Sequence, residues 1–130
     1  MAKKKENLGE LELEVMKILW NRGRSSVLQV SEQLSKQKDY ARTTILTIIQ
    51  RLHKKGFLKR RKEDGVYRYE PTQKRQQVMG SLLNQFIDRV FDGSSANLVQ
   101  QLTSAKMSDR DLDQIQTILD QARENEESAS

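Results

Sequence analysis

The chain has 130 residues with 23 Lys/Arg against 18 Asp/Glu, a net charge of +5, 35% hydrophobic residues and no cysteine. That length holds one domain, or one domain plus an oligomerisation appendage, and the apolar share is low for a large core of its own. Lack of cysteine removes disulfides and thiolate metal sites, and no run approaches the roughly 18 apolar residues of a membrane span, so the expectation is a cytoplasmic protein without a membrane partner.

The distribution of charge says more than its sum. Nineteen Lys/Arg and nine Asp/Glu lie before Gln77, a net +10; the remaining four and nine give −5. A cationic front half of this kind meets nucleic acid or an anionic surface, and the rear half has another task.

Met1 to Asn7, with Lys3, Lys4 and Lys5, reads as a basic tip, disordered or acting as a DNA-contacting arm. A first helix is expected over Glu10–Asn21, with Leu8, Leu11, Val15, Ile18 and Leu19 on one face, Met16 and Trp20 widening it and Gly23 just past its end. Trp20 reads as a core anchor in preference to a stacking platform. Ser26 with Gln29 makes a capping box for a short second helix that buries Val27, Val30 and Leu34 and stops near Ser35. Lys36 to Asp39 is a polar turn.

From Tyr40 to Gly56 the chain reads Y-A-R-T-T-I-L-T-I-I-Q-R-L-H-K-K-G, with Ala41, Ile45, Ile48, Ile49 and Leu52 at helical spacing. The opposite face centres on Thr43, Thr47, Gln50 and Lys54, flanked by Arg42, Thr44, Leu46 and Arg51, and no carboxylate occurs from Ala41 to Gly56. Short threonines let a helix approach a groove, Gln pairs with adenine, and Arg or Lys reaches guanine or phosphate. A merely solvated basic helix is the bland alternative. Two short helices joined by a tight turn, the second basic outside, make a helix-turn-helix pattern.

Phe57 to Lys62 leads through Glu63-Asp64-Gly65 into Val66 to Pro71, and Asp-Gly between two β-prone runs signals a hairpin. Lys59, Arg60, Arg61 and Lys62 climb its first strand; Tyr67 and Tyr69 share a face, more readily packed than stacked on bases. A basic hairpin after such a helix is the layout of a winged helix, with the wing on the phosphate backbone.

Beyond Pro71 the composition changes. Val78, Met79, Leu82, Leu83, Phe86, Ile87, Val90 and Phe91 give a broad apolar face closed by Gly93; Ser94 or Ser95 caps a short helix with Leu98, Val99 and Leu102; Ser108 and Asp111 open a last one with Leu112, Ile115, Ile118 and Leu119. Glu124 to Ser130 reads as a frayed acidic tail. Three helices in about fifty residues are too few to bury that much apolar surface alone, which predicts a homodimer through Leu82, Leu83, Phe86, Ile87, Val90, Phe91, Leu98, Leu102, Leu112, Ile115, Ile118 and Leu119, against the alternative of folding back on the front half. Catalysis finds no support: His53 is the sole histidine, no Gly-rich phosphate loop is present, and Asp109, Asp111 and Asp113 read as charges at a helix N-terminus.

The segments Leu8–Trp20, Thr43–Leu58 and Tyr67–Pro71 together resemble the penicillinase-repressor family of bacterial regulators, the BlaI/MecI type, over roughly Leu8 to Leu119. The resemblance implies homodimeric winged-helix repressors on pseudo-palindromic operators with TACA/TGTA-like arms. It puts Thr43, Thr44 and Thr47 at base-reading positions, and Arg51, Lys54 and the wing cations on phosphates. Three departures stand out: Tyr40 replaces a Trp, Gln101-Leu102 replaces the Asn-Phe pair cut in sensor-controlled members, and the copper branch's cysteines are absent. The upstream sensor or protease is therefore undefined.

The expectation is a mostly α chain with a small β-hairpin wing: a winged helix-turn-helix DNA-binding domain over 1–73 and a helical dimerisation domain over 74–130. It takes no cofactor or metal and binds a double-stranded operator through Arg42, Thr43, Thr44, Leu46, Thr47, Gln50, Arg51, Lys54, Arg60, Arg61 and Lys62. The alternative is a winged-helix protein–protein or nonspecific DNA-architectural module.

Overall fold

Local sequence signals set most element boundaries. The computed structural model describes residues 8–129, so the Met1–Asn7 tip lies outside the described residues. Helix α1 (Glu10–Arg22) begins where the Glu12 carboxylate accepts the Gly9 N–H at 2.8 Å, and it ends at Gly23, whose φ of 89° is costly for other residues. Its buried stripe is narrower than expected: Val15, Met16 and Leu19 are fully buried, whereas Leu8, Leu11, Ile18 and Trp20 pack at the edge of the core. The Trp20 indole N–H donates to the Gln73 carbonyl at 2.9 Å, so this aromatic ties the first helix to the segment after the wing.

Strand β1 (Ser25–Ser26) runs directly into α2 (Val27–Ser35), where both halves of the expected capping box form: the Ser26 hydroxyl accepts the Gln29 N–H at 3.2 Å and the Gln29 amide oxygen accepts the Ser26 N–H at 2.9 Å. Helix α3 (Arg42–Lys55) starts later than Tyr40. Ala41 is its extended, exposed N-cap and leaves the apolar stripe to Ile45, Ile48, Ile49 and Leu52, because a single methyl adds little burial there. At the far end Gly56 takes the left-handed conformation; its N–H donates to the His53 carbonyl and that of Phe57 to Leu52, turning the buried Phe57 into the sheet.

Strands β2 (Leu58–Glu63) and β3 (Val66–Pro71) pair antiparallel in the register Glu63↔Val66 to Leu58↔Pro71. Their two-residue turn, Asp64-Gly65, has positive φ at both positions (52° and 78°), as a type I′ hairpin turn requires. The other edge of β3 pairs with β1, Ser25↔Tyr69 and Ser26↔Arg68, giving the order β1-β3-β2.

Helices α4 (Arg75–Val90), α5 (Ser95–Ser104) and α6 (Asp109–Ala129) follow. The chain divides into two compact units within α4, one ending at Leu83 and the other starting at Asn84. In the first, one core joins α1, α2, α3 and the sheet, with Val78 buried in it and Leu82 packed against it. In the second, Ser94 caps α5 by accepting the Asn97 N–H at 3.1 Å, and the Ser108 hydroxyl accepts the Asp111 N–H at 3.0 Å at the start of α6. Glu124–Ala129 differs from the expected frayed tail, and Ser130 lies outside the described residues: α6 stays helical through Ala129, since Gln, Ala, Arg and Glu are good helix formers and outweigh acidic charge at a helix C-terminus.

Candidate nucleic-acid interface

Four buried side chains, Ile45, Ile48, Ile49 and Leu52, fix which way α3 faces. Every α3 residue expected to meet DNA is consequently exposed: Arg42, Thr43, Thr44, Leu46, Thr47, Gln50, Arg51 and Lys54. The Thr47 hydroxyl donates to the Thr43 carbonyl at 2.9 Å, which leaves its methyl and an oxygen lone pair for the outward face. Lys55 is engaged elsewhere. Its ammonium lies 3.0 Å from both oxygens of Glu12, whose side chain is only 6% exposed, and this pair anchors the end of α3 to the start of α1. His53 is half-buried and meets the buried Tyr69 ring edge-on at 6.1 Å, so it belongs to the inner flank of the helix.

The wing sorts its cations by strand alternation. Cross-strand partners share a face, so the register Arg60↔Tyr69 and Lys62↔Tyr67 places these two cations on the tyrosine face. The Arg60 guanidinium lies 4.3 Å and the Lys62 ammonium 5.5 Å from the centre of the exposed Tyr67 ring, and neither makes an ion pair among the described residues. Lys59 and Arg61 point the other way, into a network in which four cations share two carboxylates. There Glu70 holds Arg24 at 2.8 Å and Lys59 at 3.4 Å, while Glu63 holds Arg24, Arg68 at 3.3 Å and Arg61 at 4.0 Å. The Arg24 hydrogen bond keeps the Glu70 carboxyl below the usual carboxylate range, and Glu70 in turn raises Arg24. Arg24 was not expected in any role; it braces the wing from the loop before β1.

An open groove of about 650 Å³ separates helix-turn-helix from wing, bordered by Leu46 and Gln50 of α3, Leu28 and Gln29 of α2, and Arg60, Val66, Tyr67 and Arg68 of the hairpin; no carboxylate lines it. The structure thus brings Leu46, Gln50 and Arg60 to one concave surface. Thr44 and Arg51 fall on the opposite flank of α3 by helical spacing, and Arg61 on the opposite face of the wing. Leu28 was missed, although its position off the Val30–Leu34 stripe marks it as outward-facing.

On α4 to α6, Leu83, Phe86, Val90, Leu102, Leu112, Ile118 and Leu119 are exposed; Leu82, Phe91, Leu98 and Ile115 are half-buried, and Ile87 is buried. The Phe86 and Phe91 rings meet edge-to-face at 5.8 Å. Among the described residues no helix is long and apolar enough to cross a membrane.

Helix-turn-helix, three-stranded sheet and basic hairpin define a winged helix-turn-helix protein. The chain belongs to the penicillinase repressor family, whose model matches residues 8–121. It is 29% identical over 120 residues to the methicillin resistance regulatory protein MecI of Staphylococcus aureus strain N315, covering 92% of this chain and 98% of that protein. It is 37% identical over 89 residues to the transcriptional regulator BlaI of Mycobacterium tuberculosis strain H37Rv, covering 68% and 64%. Among solved structures, the DNA-binding domain of the repressor BlaI matches with a TM-score of 0.51 at 36% identity, over 57% of this chain and 90% of that one. A MarR family protein from Bacillus stearothermophilus matches in fold alone, with a TM-score of 0.52 at 14% identity over 92% of this chain and 76% of that one.

Proposed function

We propose that this protein is a cytoplasmic, sequence-specific transcriptional repressor that binds a pseudo-palindromic DNA operator as a homodimer. The observation that carries the reading is the surface formed by α3 and the wing: Thr43, Thr47, Gln50 and Lys54 project from a helix without a carboxylate, beside a groove rimmed by Arg60 and Arg68. Thr43, Thr44, Leu46, Thr47 and Gln50 read base edges in the major groove, while Arg42, Arg51, Lys54, Arg60 and Lys62 hold phosphates, with Arg61 a weaker contributor.

Residues 1–73 form the reading head and 74–130 the pairing helices, the first turns of α4 resting on the head through Val78 and Leu82. Seven exposed large apolar side chains on α4 to α6 support pairing with a second copy, since exposed apolar patches of this kind mark interaction surfaces. A two-fold pair of heads reads two half-sites whose centres lie a whole number of helical turns apart. No cofactor enters this reading, and Gln101-Leu102 on α5 argues for a release signal other than cleavage at an Asn-Phe pair.

Selection from a randomised duplex library, followed by competition at physiological salt, tests the proposal. The selected duplex should outcompete random duplex by about 10³-fold or more, and Thr47→Ala with Gln50→Ala should erode that preference. Equal affinity for selected and random DNA would overturn it.

A further inference from the structure

Eleven large apolar side chains are exposed among the described residues, and they fall in two places. Seven lie on α4 to α6. The other four, Leu28, Leu46, Val66 and Tyr67, border the groove between helix-turn-helix and wing. A lone exposed leucine needs no explanation. Four such side chains from three different elements around one concavity, in a head whose other large apolar side chains are buried or half-buried among the described residues, call for an occupant.

The groove's chemistry narrows that occupant. Gln29, Gln50, Arg60 and Arg68 supply amides and guanidiniums, and the absence of any lining carboxylate suits a polyanion. The surface is continuous with the outward face of α3 through Leu46 and Gln50. Duplex DNA presents one apolar group on its major-groove base edges, the C5 methyl of thymine. Leu28 is 44% exposed on the second residue of α2, on the side away from the buried Val30 and Leu34. It borders the same groove as Leu46, so an aliphatic seat is built from both helices of the helix-turn-helix.

We propose that Leu28, together with Leu46, receives a thymine methyl, which makes α2 a contributor to sequence preference and Leu28 a specificity-determining residue. The inference rests on the reading of the protein as a sequence-specific DNA binder and extends it to a residue outside the recognition helix and wing.

Deoxyuridine keeps base pairing and removes only the methyl, so it isolates this contact. Each thymine of the tightest duplex recovered from the randomised library is replaced singly by deoxyuridine, and affinities are measured for the unmutated protein, Leu28→Ala and Leu28→Met. At one thymine of a half-site the replacement should weaken the unmutated protein about fourfold, the worth of one methyl group withdrawn from water. The same replacement should weaken Leu28→Ala by clearly less than the unmutated protein, because one of the two leucine contacts is already lost, while Leu28→Met stays sensitive. The scan on unmutated protein needs no variant to fold: insensitivity at every thymine overturns the inference. So does a deoxyuridine penalty that is the same in Leu28→Ala as in the unmutated protein at every position. A library that yields no preferred duplex defeats the repressor reading itself, whereas a preferred duplex without coupling to Leu28 defeats the thymine contact alone.

Discussion

Arg60 and Arg61 are neighbours of equal charge, and replacing each by alanine separates two views of the wing. If the cations act as a run, both variants lose the same amount. The strand instead turns them to opposite faces: Arg60 leans on Tyr67 at 4.3 Å, and Arg61 lies 4.0 Å from Glu63, which also holds Arg24 and Arg68. A phosphate approaching Arg61 meets Glu63 as well, so the net attraction is smaller. Each phosphate contact contributes about 0.9 to the slope of log K against log salt; losing one flattens the slope by that amount, and between about 50 and 200 mM salt removes roughly a 3.5-fold drop in affinity. Arg60→Ala should show this full flattening and Arg61→Ala well under half of it. Fluorescence anisotropy titrations of a single labelled duplex at several salt concentrations read the slope directly, and thermal melts confirm that both variants are folded. An equal or larger effect of Arg61→Ala would refute the sorting of the wing by alternation.

Three further outcomes follow from the same geometry. Glu12→Gln keeps the shape of the anchor but removes the charge that faces Lys55 at 3.0 Å, and should cost about 2 kcal/mol in urea unfolding; an unchanged midpoint would remove the anchor from the account. Glu70, held below the usual carboxylate range by Arg24, contributes stability above that range that is lost as pH falls through its folded-state value, so Glu70→Gln should flatten the acid limb of the urea midpoint between neutral pH and about pH 3. Ile118→Asp with Leu119→Asp puts charge on an exposed apolar face and, under the proposed pairing, acts twice in a two-fold interface; sedimentation should then show association weakened by about 10² to 10⁴, and an unaltered association state would remove this face from the proposed interface.

The helices of the head were legible because each carries its own punctuation. Ser26 with Gln29, Gly23 and Gly56 mark ends by local hydrogen bonds and backbone freedom, and Asp64-Gly65 fixes a hairpin register without help from the rest of the chain. Ala41 misled because helical spacing continues one residue beyond the helix, onto its N-cap, where the side chain is too small to require burial. Strand β1 was invisible, since two serines carry no alternation and pair only because β3 offers a free edge. The cation run Lys59–Lys62 was found but its two faces were not, although period two applies to any strand once the hairpin is assigned. Arg24 joins the wing from far away in sequence, through contacts with Glu63 and Glu70 that no local pattern records.

The two units are folded for different physical reasons. The head closes a core in which Val15, Met16, Leu19, Val30, Ile45, Ile49 and Leu52 are wholly buried, so its order depends on no second molecule. From Asn84 onward Ile87 is the one large apolar side chain buried among the described residues, and α5 buries none. Helices with so little enclosed surface gain most from tertiary packing, which a copy of the same surface supplies under the proposed pairing. Stability of the rear unit then depends on protein concentration while that of the head does not. On that same proposal, DNA that engages both heads favours the paired state by mass action, so an agent that competes for the apolar faces of α4 to α6 should weaken operator binding without touching the residues assigned to DNA.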